Sequence, residues 1–152
     1  MRVPQSIADM PRVLSDAVAG ANPETLTRRG AGDTFSLTEQ ACHLRDVERE
    51  GYLIRVRRIL AEHEPALAGF EGDVVARERN YQAQDARAAA RDFTRARAEL
   101  VTLLATVDDA HAARTATFGG RRITLTDLVD MIEQHDDGHR EEIAALVEAG
   151  PR

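Results

Sequence analysis

Residues 124–147 constrain the fold more than any other stretch. Apolar side chains recur at Leu125, Leu128, Ile132, Ile143 and Leu146, close to the 3.6-residue period of a helix with one buried face. Thr124 with Asp127 forms a cap at its start, and Gly150 followed by Pro151 ends it. Two members of the stripe are not apolar. His135 and His139 stand four apart, so their rings lie one turn from each other on the core-facing side. Two imidazoles so placed make half of a metal site. A long helix with one apolar face also needs partners to cover it.

Three further stretches supply such partners. Residues 9–19 predict a helix with Asp9 as a candidate N-cap, Pro11 in the first turn and Gly20 as its stop, and residues 4–8 either extend it or stay loose. A second, longer helix opens at Ser36, where Ser36 and Glu39 form a capping box, and runs to about His63 before Pro65. Leu37, Ala41, Leu44, Val47, Gly51 and Ile59 are its core stripe. A third starts at Asp85 and turns Ala89, Ala90, Phe93, Ala96, Leu100 and Leu104 inward. Short helical turns are expected at residues 22–26 and 74–81. Residues 108–122 read mostly as a loop, with a small hairpin-like turn over 117–123. Strand-like alternation is otherwise nearly absent. The expectation is all-α: a single domain over residues 1–152, folded as a four-helix bundle of up-down-down-up type with short connecting helical turns.

Composition narrows the function classes. No apolar run approaches the ~20 residues of a membrane span, and the N-terminal residues lack the basic-then-apolar order of a signal peptide. A cytoplasmic location is expected, with no membrane partner. One cysteine excludes an internal disulfide and fits a reducing compartment. Cys42 adjoins His43, but neighbouring helix residues point about 100° apart, so Cys42 reads as a core-edge thiol rather than a nucleophile. The net charge of −6 argues against nucleic acid as a partner. All 20 cationic residues are arginine. That reads as the codon bias of a high-GC bacterium, and it removes lysine-based covalent chemistry.

Of the five histidines, His63 at a helix end and His111 in a loop read as solvated. His43 lies at the edge of the second helix's stripe, in line with Val47 and Ile54. If the second and last helices are neighbours, His43, His135 and His139 converge. Three neutral nitrogens would hold an ion and leave positions free for water or substrate. Buried histidines can instead bond to backbone carbonyls, so spacing alone leaves both readings open.

Longer blocks carry more information. The segment from Pro23 to Arg29, the run Phe35-Ser36-Leu37-Thr38-Glu39, and Ala41-Cys42-His43-Leu44-Arg45-Asp46-Val47-Glu48 resemble the opening of the DinB/YfiT-like superfamily. The run from Ile123 to Val129 and then Gln134-His135-Asp136-Asp137-Gly138-His139 resembles its last helix, and Phe93 with Arg97 its third. Phe35 stands where many members carry tryptophan, and keeps an aromatic plug. The resemblance implies a four-helix bundle binding a divalent metal through His43, His135 and His139. Members include bacillithiol-using thiol transferases, mycothiol-dependent maleylpyruvate isomerases and the metal domain of ergothioneine-pathway sulfoxide synthases. Glu141 satisfies the extended motif of the last group, but it lies about 120° off the face of His135.

The first functional expectation is therefore a metal-dependent enzyme, a hydrolase or a thiol S-transferase acting on a small molecule. Zn²⁺ or Ni²⁺ leads as the metal, with Fe²⁺ or Mn²⁺ as alternatives. The metal would activate a water or a low-molecular-weight thiol co-substrate. Asp46 and Glu50 are candidate general bases, with a solvated or salt-bridged carboxylate the leading reading of both, and Arg97 is a candidate anchor for an anionic substrate group, with a structural ion pair its leading reading. The second is a non-catalytic metal or small-molecule binding module of the stress-related kind, and the third a metal-free bundle. A spare apolar helix face would suit a homodimer.

Overall fold

Three of the four long elements begin on a side-chain cap that satisfies free amides. The computed structural model describes residues 1–150. The first helix, α1 (Gln5–Gly20), has no side-chain cap and takes the extended start, directly after Pro4. Asp9 therefore lies inside it rather than capping it, and Pro11 is interior, not in the first turn. An interior proline leaves the carbonyl four residues back without its donor. Here that carbonyl belongs to Ile7, and Arg97 Nη1 supplies the missing hydrogen bond at 2.9 Å. A contact between distant parts of the chain thus rescues a helix that local rules would shorten.

A short α2 (Pro23–Thr27) is capped by Asn22 and leads through a 3₁₀ turn (Ala31–Asp33) to the second long element. The Ser36–Glu39 capping box forms in full. The element comprises α3 (Leu37–Val47), a π-helical turn (Glu48–Tyr52) and α4 (Leu53–Ala61). Such π-turns insert a residue into a helix and turn the side chains beyond it relative to those before. Next come the two-residue β1 (Ala66–Leu67) and α5 (Gly72–Glu78). The third long helix, α6 (Ala86–Ala105), is capped by Asp85. After α7 (Asp109–Ala112) and the hairpin β2 (Thr115–Phe118) and β3 (Arg121–Thr124), α8 (Leu125–Glu148) closes the fold with the Thr124–Asp127 box.

The long elements pack as a four-helix bundle, α6 lying against α3 and α1, and α8 against α1 and α3. The region expected to be mostly loop holds a β-hairpin. Gly119 (φ 57°) and Gly120 (φ 75°) make the two-residue turn that joins β2 and β3, both in the left-handed region that glycine allows. Thr115 pairs with Thr124 and Phe118 with Arg121, while β1 adds on the other side, parallel to β2. No helix among the described residues is long and apolar enough to cross a membrane.

The apolar core falls into two clusters. One gathers Ile7, Val47, Leu100 and Ile132; the other gathers Met10, Leu44, Phe93 and Ile143. On every long element the chain passes from one cluster to the other. At that passage α3, α6 and α8 carry polar residues, and the functional side chains are found there.

Candidate metal centre

The polar layer has two halves. In the first, Arg97 of α6 is 1% exposed and reaches three other elements. Its Nη1 and Nη2 donate to the two oxygens of Asp136 on α8 at 2.6 and 3.1 Å. Its Nε donates to Glu48 in the π-turn, and Nη1 also reaches Ile7 of α1. One cation thus faces two fully buried carboxylates. Burial pushes Glu48 up to about 7, against the pull of Arg97 and with a further push from Asp136. Burial raises Asp136 as well. Arg97 is accordingly a brace linking the four long elements. Its burial and its contacts with Glu48, Asp136 and Ile7 fit the structural ion-pair reading of Arg97.

The second half lies next to the first along α8. His43 Nε2 is 3.2 Å from His135 Nε2, and His139 Nε2 is 3.1 Å from the same atom. The ligand nitrogens of the three rings all lie within 4.8 Å of one another. Two nitrogens bound to one ion at about 2.0–2.1 Å stand roughly 2.9–3.4 Å apart for octahedral to tetrahedral angles, so the two separations from His135 Nε2 suit a shared cation. The rings are neutral. Burial, reinforced by the neighbouring His139, holds His43 down to about 3. Burial and the other two rings hold His135 down to about 2. Burial also lowers His139, although Glu142 opposes it.

The hydrogen bonds agree with lone pairs directed inward. His139 Nδ1 stands 2.7 Å from Gln40 Oε1, a pure acceptor, so Nδ1 carries the proton and Nε2 the lone pair. Gln40 is fixed in turn by donating its amide to Glu142 at 2.6 Å. This ligand–amide–carboxylate series is the kind of support that orients metal-binding histidines. His43 Nδ1 and His135 Nδ1 are buried without partners, so no hydrogen bond assigns the proton to either nitrogen of those rings. A cation between the three rings would take a lone pair from each Nε2. The donor set fits a divalent ion of borderline softness.

Local sequence explains the placement. His43 follows Leu37 and Gln40 by helical steps on α3, and Phe35, just before the cap, brings its ring 5.6 Å from that of His43. Phe70 lies 6.2 Å away on another side. Gly72 opens α5 directly over the imidazole, where an added Cβ would stand 2.8 Å from Cε1. Only a residue without a side chain fits there. His43 and His139 border a cleft of about 320 Å³ with Phe35, Gly72, Asp73 and Glu142. One side of the cluster therefore faces open space.

The other predicted residues lie elsewhere. Asp46 accepts from Arg45 at 2.7 Å, Arg79 at 2.9 Å and the Tyr81 hydroxyl at 2.6 Å. Those donors hold it below its ordinary range although burial pushes the other way. Glu50 takes both ends of Arg79, at 2.5 and 2.8 Å, and is likewise lowered. Neither carboxylate lines the cleft, and both belong to an ion-pair cluster, as the salt-bridged reading of Asp46 and Glu50 expects. Cys42 is fully buried beside Gln84, and burial pushes its thiol up to about 11, which leaves it inert. His63 and His111 are exposed.

Gln40, Glu48, Gly72, Asp136 and Glu142 were not foreseen. A signal existed for two of them. Asp136 follows Ile132 by four and precedes Ile143 by seven, which places it on the stripe itself. Gln40 precedes Leu44 by four in the same way.

The family model of the DinB superfamily matches residues 7–143. No curated protein matches the sequence. Among solved structures, YfiT from Bacillus subtilis superposes with a TM-score of 0.87 at 20% identity, over 95% of this chain and 83% of that one. It is described as a probable metal-dependent hydrolase with an unusual four-helix bundle topology. At that identity the likeness establishes the shared fold.

Proposed function

The chain belongs to the DinB superfamily, and we propose on that premise that it is a metal-dependent enzyme holding one divalent ion through Nε2 of His43, His135 and His139. The observation that carries this reading is the convergence of three neutral imidazole nitrogens beside an open cleft. A structural site would close itself with a fourth protein ligand. Among the described residues the cluster comprises three. The description of YfiT as a probable metal-dependent hydrolase supports the same reading.

When bound, a divalent ion supplies a water or thiol of lowered pKa near neutral pH. The chain's own residues do the rest. His139 is kept in the required tautomer by Gln40. Phe35 and Phe70 exclude water from two sides of His43. Glu142 is 41% exposed and borders the cleft, with an oxygen 3.2 Å from His139 Nδ1. Its carboxylate is the group placed to take a proton from a small molecule entering the cleft. The reaction is of the hydrolase or thiol S-transferase type, with Zn²⁺ or Ni²⁺ ahead of Fe²⁺ and Mn²⁺.

Elemental analysis of purified protein, reloaded with each of the four metals, tests this beside a His135→Ala, His139→Ala variant. The expected result is about one ion per wild-type chain and none in the variant. Absence of metal from both would sink the proposal. Screening the loaded protein for ester hydrolysis and for transfer of small thiols to electrophiles then separates the two reaction types.

A further inference from the structure

Two arginines are buried, and they are not equivalent. Arg97 is opposed by Glu48 and Asp136. Arg55 of α4 is 6% exposed and has no carboxylate within ion-pair distance among the described residues. A buried cation without a counter-charge is costly, because its hydration is lost. Three contacts offset that cost. The guanidinium lies over the ring of Phe118, 4.6 Å from its centroid, and 5.4 Å from the centroid of Tyr52. Its Nε donates to the carbonyl of Ala68 at 3.1 Å. A planar guanidinium is the cation suited to stacking on aromatic faces while its edge donates a hydrogen bond.

Each contact leads to a histidine of the cluster. Tyr52 closes the π-turn, and its ring stands edge-on to that of His135, with centroids 5.7 Å apart. Ala68 lies just before Phe70, whose ring is 6.2 Å from that of His43. Phe118 pairs with Leu67 in the parallel β1–β2 ladder, so the small sheet delivers Phe118 and Ala68 to the guanidinium together. A Cβ added at Gly51 would stand 3.5 Å from Cζ and Nη2 of Arg55, which places the guanidinium against the π-turn itself. We propose that Arg55 is a positioning residue of the metal centre: through its stack on Tyr52 and Phe118 and its bond to Ala68, it holds Tyr52 against His135 and the segment carrying Phe70 against His43. The sheet, which contributes no histidine to the cluster, is the buttress of that clamp. Arg58, on the next turn of α4, also bonds to β1, from Nη1 to the Ala66 carbonyl at 2.7 Å, but it is partly exposed and paired with Glu62. The role of Arg55 rests on the reading of the three histidines as a metal centre.

Titration of the metal-free full chain with Co²⁺, whose visible absorption reports ligand geometry, tests this in wild type, Arg55→Met, Arg55→Lys, Phe118→Leu and Arg58→Met, with folding checked by circular dichroism. The expected result is that Arg55→Met binds Co²⁺ about tenfold more weakly than wild type, the lower end of what lost support around a ligand costs, and shows an altered visible spectrum. Arg55→Lys keeps the charge and recovers part of the affinity. Phe118→Leu removes one face of the stack and moves affinity and spectrum in the same direction, and it decides the matter if Arg55→Met does not fold. Arg58→Met loosens the sheet but keeps the wild-type affinity and spectrum. Wild-type affinity and spectrum in folded Arg55→Met would overturn the role, as would a change in Arg58→Met as large as that in Arg55→Met. No Co²⁺ bound by wild type would overturn the metal reading and this role with it, whereas binding that ignores Arg55 overturns this role alone.

Discussion

His135 and Asp136 are adjacent in sequence, yet they belong to clusters of opposite design. Asp136 joins Arg97 and Glu48 in a layer where charges are buried, opposed and closed off on all sides. His135 joins His43 and His139 in a layer of neutral rings beside an open cleft. In the first cluster Arg97 spends its donors on holding four elements together, although Glu48 Oε1 has no partner. In the second, His139 Nδ1 is bonded to Gln40, while His43 Nδ1 and His135 Nδ1 have no partner. Burial does not distinguish the two; charge does, a cation between carboxylates in one and neutral rings in the other.

The sharpest way to break this contrast is to remove Arg97. Arg97→Met strands two buried carboxylates and the Ile7 carbonyl, so urea unfolding should show a loss of about 3–5 kcal/mol. A triple variant that also carries Glu48→Leu and Asp136→Leu should recover most of it, because an apolar layer can replace a buried ion network. Metal removal probes the other layer. Chelation should lower unfolding stability by about 4 kcal/mol when the free ion had exceeded its Kd a thousandfold. The metal-free His135→Ala, His139→Ala variant should be insensitive to chelator.

Acid separates the clusters next. In the metal-free fold, His43 is held down to about 3 and His135 to about 2, against 6.5 when unfolded. Between those limits the unfolded chain binds more protons, so the histidine contribution is present above 6.5 and is lost as pH falls toward 3. Each ring adds a slope of up to about 1.4 kcal/mol per pH unit. Glu48, raised to about 7 from 4.5, works in the opposite sense between those values. Comparison with His135→Ala across pH 4–7 isolates the histidine effect, and the variant should show the shallower loss on acidification. Gly72→Ala drives a methyl group into the His43 ring and should weaken metal binding about tenfold, the scale seen when support of a ligand is disturbed. The smallest effect belongs to Glu50→Gln. This loosens an exposed ion pair with Arg79, at about 0–1 kcal/mol, with no change in metal content.

The fold and the histidine cluster were readable for a common reason. Leu125, Leu128, Ile132, Ile143 and Leu146 repeat along one face, and all are buried. Histidines that interrupt such a face stand out without knowledge of the neighbouring helices. An ion-pair role for Arg97 was legible, but its partners were not, because they lie on separate elements and no periodicity links Arg97 to Glu48. The start of α1 was open between two positions for the same reason, since the donor that tolerates Pro11 comes from α6. Asp46 and Glu50 had the right chemistry near His43. Arg79, 29 residues beyond Glu50, draws its carboxylate away from the site, and that capture is visible only in three dimensions. Gly72 reads as a turn residue in sequence, and its contact with His43 gives it a different role.

Calorimetric titration of Zn²⁺ into metal-free protein, wild type and the His135→Ala, His139→Ala variant, tests the central contrast most directly. One site per chain in wild type, lost in a variant that keeps its helical circular dichroism, is the predicted result. No site in wild type, or a site that survives in the variant, would contradict the assignment of the ion to these three histidines.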